Sequence, residues 1–416
     1  MRYDGLMNPQ QQETNMADPV KDKHIVLGVC GGIAAYKAVN LLRVLVRSGA
    51  HIRVIMTRSA QEFVGPLTFE ALSGQPVWTH MFGKQKDGPF RHITWANETD
   101  AAVIVPATAN IIGKMAHGIA DDPLTTFVLT VQAPILVCPS MNFQMYENRA
   151  VQENIKRLEQ TGKKVLHPEV GALACGSKGP GRLPDVEVIA EGLRSLLCPQ
   201  DLEGKRILIT AGPTQEPIDP VRFISNPSSG KMGYALARVA RRRGAQVLLI
   251  SGPTMLSNPQ GVEVIRVRTA EDMFNAVMDH VEQTTIMVMA AAVSDWRPAG
   301  FFEHKQKKEE IAPDLRVEQT MDILKAVGRN KKGQILVGFA AETQDLKENA
   351  CGKLTAKNLD LIVANLIGQD DSGFASDTNQ VTLFYRNGRT EALPLMDKGA
   401  LAGILFDRVL EIRKSV

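Results

Sequence analysis

At 416 residues the chain exceeds what one ordinary core holds and suits two domains of about 200 residues each. Its 48 basic and 45 acidic residues leave a net charge of only +3, which excludes a bulk field for nucleic acid or an anionic membrane, so any anion site has to be local. The five cysteines, Cys30, Cys138, Cys175, Cys198 and Cys351, are odd in number and lack a Cys-x-x-Cys pair, which argues against a disulfide framework and a zinc knuckle and favours a reducing cytoplasm.

Residues 1–20 are polar and rich in Gln and Asn, and a disordered tail is expected there. No apolar stretch reaches membrane-spanning length. Residues 24–29 predict a buried strand, 34–47 an amphipathic helix ended by Gly49, and 51–56 the next strand, which together make one βαβ unit. Apolar runs at 101–105, 134–137 and 164–166 alternate with helical segments at 111–117, 124–131 and 147–161. That rhythm predicts a parallel sheet covered on both faces. Residues 199–204 are expected to link a domain of 21–198 to one of 205–416. In the second domain strands are predicted at 206–210, 246–250, 262–267, 285–290, 334–339 and 359–364, with helices at 232–243, 270–281 and 345–357. Residues 381–385 and 389–395 predict a hairpin joined by Asn387-Gly388, whose positive φ angles suit a tight turn. A last helix is expected near Val409.

Each half places glycines between its first strand and first helix, Gly31-Gly32 in one and Gly212, then Gly230, in the other. Such glycines either set a phosphate on backbone N–H groups or allow close helix packing, and spacing alone leaves both readings open. Ser228-Ser229-Gly230-Lys231-Met232-Gly233 is no Walker A loop, because the upstream Gly is missing and Met232 stands where Ser or Thr would bind magnesium.

Four segments carry a resemblance in the first half: Gly31-Gly32-Ile33-Ala34-Ala35-Tyr36-Lys37, Pro106-Ala107-Thr108-Ala109-Asn110, Pro139-Ser140-Met141-Asn142 with Met145, and Ala174-Cys175-Gly176. Together they resemble the flavin-dependent cysteine decarboxylases, and in particular the decarboxylase half of the bifunctional decarboxylase/ligase family of bacterial coenzyme A synthesis. The string from Ile209 to Gly233 resembles the ligase half, so the likeness runs from about Lys23 to Val416. It implies two Rossmann-like doubly wound α/β domains: a flavodoxin-like flavoprotein domain and a nucleotide-binding ligase domain with a β-hairpin.

For the first domain the resemblance implies FMN held by Gly31, Gly32, Ile33, Thr57, Thr108 and Met141. Oxidation of a cysteinyl thiol to a thioaldehyde creates the electron sink that lets CO₂ depart. His92 matches the active-site histidine, which suits proton transfer near neutrality. Asn142 matches the residue holding the substrate carboxylate, and an amide orients that group without stabilising its ground state as strongly as Arg would. Cys175, in a glycine-rich flap, matches the proton donor to the enethiolate, and Gly176, Gly179 and Gly181 permit closure. Two departures stand out: Cys30 replaces the Ser that many relatives place beside the flavin phosphate, and Pro123 removes a backbone donor after Asp121-Asp122.

For the second domain the resemblance implies that CTP, with Mg²⁺, converts 4′-phosphopantothenate into an acyl-cytidylate that the amine of cysteine attacks. Asn226 matches the residue associated with that intermediate and Lys305 the lysine that stabilises charge at the reacting carbonyl and phosphate. Ala291, Asp295, Asp322, Phe339, Lys353, Lys357 and Asn358 are the implied nucleotide residues, and Arg222 and Lys231 the implied contacts to the other phosphate. Thr320-Met321 replaces the usual Asn-Pro before Asp322-Ile323, and the loop ending at Asn379 matches one near a dimer contact or metal. The implied assembly is a dodecamer of flavin-domain trimers and ligase-domain dimers. A flavin oxidoreductase fused to a nucleotide-sensing domain is the enzymatic alternative. A non-enzymatic flavoprotein that docks a phosphatase is the other, and it needs neither Cys175 nor a complete second half.

Overall fold

The computed structural model describes residues 18–82, 90–172, 176, 178–305, 315–342, 345–366 and 376–414. They form two compact units, Asp18–Pro199 and one beginning at Gln200.

The first unit is built on β1 (His24–Val29), β2 (His51–Met56), β3 (Ala101–Ala107), β4 (Ile135–Pro139) and β5 (Lys164–Val165). All pairings are parallel and the order is β2-β1-β3-β4-β5, the flavodoxin-like winding. Alternation explains the two covered faces. Ile25, Leu27 and Val29 pack with Leu41, Leu42 and Leu45 of helix Ala35–Arg47 and Leu193 of helix Val186–Leu197. Val26, Ala102 and Ile104 face Ile112, Phe127 and Leu158 of helices Ala109–His117, Pro123–Thr130 and Arg149–Gln160. The helix expected over 147–161 is interrupted: Phe143–Glu147 and Arg149–Gln160 meet at Asn148, whose carboxamide oxygen accepts the Ala150 N–H. An antiparallel pair, β6 (Glu169–Ala172) and β7 (Lys178–Arg182), flanks the loop carrying Cys175.

The second unit contains, in chain order, β8 (Arg206–Ala211), β9 (Gln215–Pro217), β10 (Phe223–Ser225), β11 (Gln246–Ser251), β12 (Glu263–Arg266), β13 (Ile286–Met289), β14 (Trp296–Pro298), β15 (Val317–Gln319), β16 (Ile335–Glu342), β17 (Leu361–Leu366), β18 (Thr378–Asn379), β19 (Thr382–Tyr385), β20 (Thr390–Ala392) and β21 (Met396–Asp397). Its main sheet runs β12-β11-β8-β13-β16-β17-β19-β20, parallel through β17 and then antiparallel. The parallel part is the six-strand dinucleotide-binding order. Ile207 and Ile209 meet Tyr234 and Leu236 of helix Lys231–Arg242 and Leu405 of helix Lys398–Lys414. Leu208 faces Met273, Val327 and Leu354 of the helices on the other side.

Three expectations change. Residues 199–204 are not a free linker, because Leu202 is buried, its N–H reaches the Arg243 carbonyl at 3.0 Å, and Asp201 pairs with Arg243 at 2.5 Å. The hairpin turn has three residues, 386–388, and only Gly388 takes a positive φ, +87°; Asn387 instead accepts the Arg389 N–H on Oδ1 at 3.0 Å. The tail expected over 1–20 is tied down from Asp18, since Arg194 Nε and Nη2 donate to its carboxylate at 3.0 and 2.8 Å and Val20 is fully buried. Among the described residues no helix is long and apolar enough to cross a membrane.

Burial raises the Asp18 pKa, but Arg194, the Val20 N–H and the Ser48 hydroxyl lower it further, so the carboxyl stays below its ordinary 3.8. A depressed folded-state pKa contributes stability that is complete above the unfolded value and lost as pH falls through the folded one. Asp18→Asn is therefore expected to lower the urea midpoint at neutral pH, and the gap to wild type to close as the pH drops below 3.8.

Candidate active sites in the two units

In the first unit the strand order reverses at β1 and β3, and their carboxyl ends diverge to leave a crevice. The two glycines after β1 divide the open readings between them. A Cβ on Gly31 would lie 2.4 Å from Ser59 Cβ and 2.7 Å from its carbonyl carbon, so Gly31 permits the close approach of helix Arg58–Gln61. A Cβ on Gly32 would meet nothing within 4 Å, so that main chain is open to a ligand. Ile33 beside it is 65% exposed. Thr57 and Thr108 cap the helices after β2 and β3, accepting from Ala60 N at 3.3 Å and Ile111 N at 3.4 Å. Each cap uses an oxygen lone pair and leaves the hydroxyl proton for another acceptor. Cys30 is buried, and burial pushes its thiol up to about 12, opposed by the Thr108 N–H. It is a neutral core side chain, not a donor facing solvent. Pro123 likewise costs no donor, since it is the first residue of a helix capped by Asp122 and Thr125.

Asn142 follows β4 and caps helix Phe143–Glu147, its Oδ1 accepting Gln144 N at 2.9 Å. Strand β7 packs against the same turn: the Met141 N–H donates to Gly181 O at 3.1 Å, and a Cβ on Gly181 would fall 2.2 Å from Met141 O. Asn142, Met141 and the arms of the Cys175 loop are thus one packed cluster. Cys175 and Ser177 lie outside the described residues.

His92 comes to this edge on helix Arg91–Glu98. Glu98 binds Arg53, in the middle of β2, at 2.6 Å. The start of the helix is held beside Trp78, which bridges Ile55 near the carboxyl end of β2. The buried Arg91 guanidinium lies 5.7 Å from the Trp78 ring and 5.3 Å from the Trp95 ring. Sequence reasoning missed this clamp, because a Trp-Arg-Trp contact has no periodic signature.

In the second unit the glycines after β8 and β11 bring main chains together. A Cβ on Gly252 would lie 1.7 Å from Pro213 O, and Gly230, at φ +77°, sets the start of helix Lys231–Arg242 on Gly212. Asn226 Nδ2 donates to Val293 O at 2.8 Å, joining it to the loop after β13. Two threonines that sequence reasoning missed brace that loop: Thr210 accepts Ala291 N at 3.2 Å and Thr214 accepts Ser294 N at 3.0 Å. Asp295 is exposed, and its carbonyl accepts Thr320 N at 3.0 Å while Thr320 Oγ1 donates to Ser294 O at 2.6 Å. Thr320, one of the two departures, therefore holds the loop that carries Asp295.

Asp322 and Lys357 meet at 2.9 Å. Burial raises the Asp322 pKa, and the Lys325 N–H and Lys357 lower it further, so it lies below the ordinary carboxylate value. Asn358, at φ +54°, donates to Gly328 O at 2.8 Å and accepts from Arg386, so its amide is engaged within the protein and locks the turn after Lys357. Phe339 is half-buried on β16, while Lys353 and Lys305 are exposed. Arg222 closes a loop around buried Asp219 at 3.4 Å, and Lys231 pairs with Asp377 at 2.6 Å. No cluster of three or more His, Cys, Asp or Glu side chains suited to a metal occurs among the described residues.

Residues 13–197 match the family described as Flavoprotein, and residues 202–412 match the DNA/pantothenate metabolism flavoprotein C-terminal domain. The coenzyme A biosynthesis bifunctional protein CoaBC of Bacillus subtilis (strain 168) is 49% identical over 383 residues, covering 91% of this chain and 94% of its own. The chain belongs to this bifunctional family. The CoaBC protein of Escherichia coli (strain K12) is 42% identical over 393 residues, covering 93% of this chain and 97% of its own. Among solved structures, the C-terminal domain of a CoaBC protein is 42% identical with a TM-score of 0.45, covering 52% of this chain and 98% of its own. The FMN-dependent cysteine decarboxylase SpaF is 31% identical with a TM-score of 0.37, covering 43% and 99%.

Burial also raises the Cys138 thiol, whereas Cys351 is exposed. A disulfide reagent at pH 8 is expected to modify Cys351 in the native protein and to reach Cys30 and Cys138 only after denaturation. Peptide mapping of the modified thiols checks this.

Proposed function

We propose that the chain catalyses two linked reactions of coenzyme A synthesis. The second unit ligates 4′-phosphopantothenate to cysteine, and the first decarboxylates the product to 4′-phosphopantetheine. The observation that carries this reading is that relatives 42–49% identical span both halves, each a doubly wound sheet with a glycine turn at its carboxyl edge.

The first crevice suits FMN: open main chain at Gly32, helix caps Thr57 and Thr108 with hydroxyl protons to donate, and exposed Ile33 to cover a ring. FMN held there would supply a reversible two-electron oxidation of the substrate's thiol-bearing carbon, the electron sink that lets the carboxylate leave as CO₂. Asn142, fixed by its cap, orients that carboxylate. His92 receives a proton from the substrate, and Cys175 delivers one to the enethiolate product.

In the second unit CTP would activate the acid as an acyl-cytidylate with release of pyrophosphate, its Mg²⁺ carried on the triphosphate, since no metal-suited side-chain cluster occurs among the described residues. Asn226 and Lys305 steady charge at the reacting centre. Ala291, Asp295, Asp322, Phe339, Lys353 and Lys357 hold the nucleotide, and Arg222 and Lys231 meet phosphate. The family likeness supports a cytoplasmic dodecamer built from flavin-domain trimers and ligase-domain dimers.

His92→Asn is expected to reduce CO₂ release by roughly 10²–10⁴-fold and to leave pyrophosphate release unchanged. Lys305→Gln is expected to do the reverse, with CTP outperforming ATP in the wild type. Loss of both activities in either variant counts against separate sites, as does wild-type protein that binds no added FMN.

A further inference from the structure

Lys398 begins the last helix, is only 7% exposed, and has no part in the chemistry above. It is not needed as a cap, because Asp397 Oδ1 accepts the Gly399 and Ala400 N–H groups at 2.9 Å each. A cation at the first position of a helix also opposes the macrodipole. The contacts of Lys398 run elsewhere. Its Nζ donates to Ser376 O and its N–H to Asp377 O at 3.0 Å, while β18 and β21 pair on either side of that junction. Asp377 then turns its carboxylate to Lys231 Nζ at 2.6 Å.

Lys231 stands directly behind Gly230, at the start of the helix that leaves the glycine turn. The two helices lie side by side. Arg243, at the far end of the first, bonds Gly403 O at 3.1 Å and Asp407 at 2.7 Å in the second, and Lys231 and Lys398 mark the near end. Burial first, and then the charge of Lys231, pull the Lys398 pKa down to about 8, opposed by Asp377. A buried ammonium that shares an aspartate with a neighbouring lysine costs free energy, and a methionine or leucine at the same buried position would not incur that cost.

We propose that Lys398 is a positioning residue of the ligase unit: it fixes the Ser376–Asp377 turn so that Asp377 holds the Lys231 ammonium at the glycine turn, where Lys231 meets a phosphoryl group of a substrate. The inference rests on the ligase reading above. The phosphoryl group comes from the phosphorylated acid or from the nucleotide, and separate KM measurements distinguish the two.

The test uses the full-length protein and steady-state pyrophosphate release. Lys398→Met is expected to raise the KM for one phosphorylated substrate about tenfold, with kcat within about twofold of wild type. The substrate whose KM moves identifies the phosphoryl group. Asp377→Asn breaks the same link without emptying the buried site, and it is expected to shift the same KM. Because Lys398 acts through Lys231, the double variant Lys231→Met/Lys398→Met is expected to be no worse than Lys231→Met alone. Decarboxylation of phosphopantothenoylcysteine by the same preparations is expected to stay at the wild-type rate. Multiplicative losses in the double variant, a fall in kcat with both KM values unchanged, or an Asp377→Asn protein with wild-type KM values would each overturn the proposal. A wild-type protein without nucleotide-dependent turnover would instead overturn the ligase reading itself.

Discussion

In each unit the loop leaving the first strand runs closer to a neighbouring main chain than a side chain allows. Gly31 lies on the backbone of Ser59, and the turn after β8 brings Pro213 O to where a Cβ of Gly252 would stand. Such contact draws the following helix up against the sheet and aims its first N–H groups over the strand ends. Everything at the two crevices takes its position from that approach: the caps Thr57 and Thr108 in one, and the Thr210 and Thr214 braces in the other. The groups proposed for substrate chemistry come from later in the chain, on elements that must themselves be anchored to the same edge.

The anchoring differs between the units. In the first it is largely apolar and aromatic, with Arg91 against two indoles that also meet each other and Phe143 against the main chain at Gly179. In the second it is polar, through Asn226 to Val293, Thr320 to Ser294, and Asp322 to Lys357. Edge-to-face rings resist displacement through contact area and lose little in salt. Exposed ion pairs are screened by it.

Most of the architecture was legible in the sequence because buried parallel strands leave a strong apolar signal. Residues 24–29, 51–56 and 101–105 stand in the sheet where periodicity put them, and the glycine turns fall between strand and helix. Shorter features were not legible. Strands β6 and β7 are glycine-rich and held by a few backbone bonds, β18 and β21 have two residues each, and Leu202 is a single apolar residue in a polar run. The hairpin was read correctly in place but not in turn geometry, since Asn-Gly also fits a three-residue loop with only Gly388 left-handed. At the sites, family likeness supplied the residues, and the structure supplied the contacts of several of them. Asn358 is the instructive case, because its amide is spent on Gly328 and Arg386.

That same junction limits how the second unit can change. A methyl group at Gly328 would sit 2.0 Å from the Lys357 carbonyl oxygen, so helix Ile323–Asn330 and the chain at Lys357 interlock with no slack. Neither can slip along the other without unseating Asp322 from its ammonium partner. Adaptation at this corner has to proceed by swapping individual side chains on a stationary frame, so its chemistry changes discontinuously, one substitution at a time.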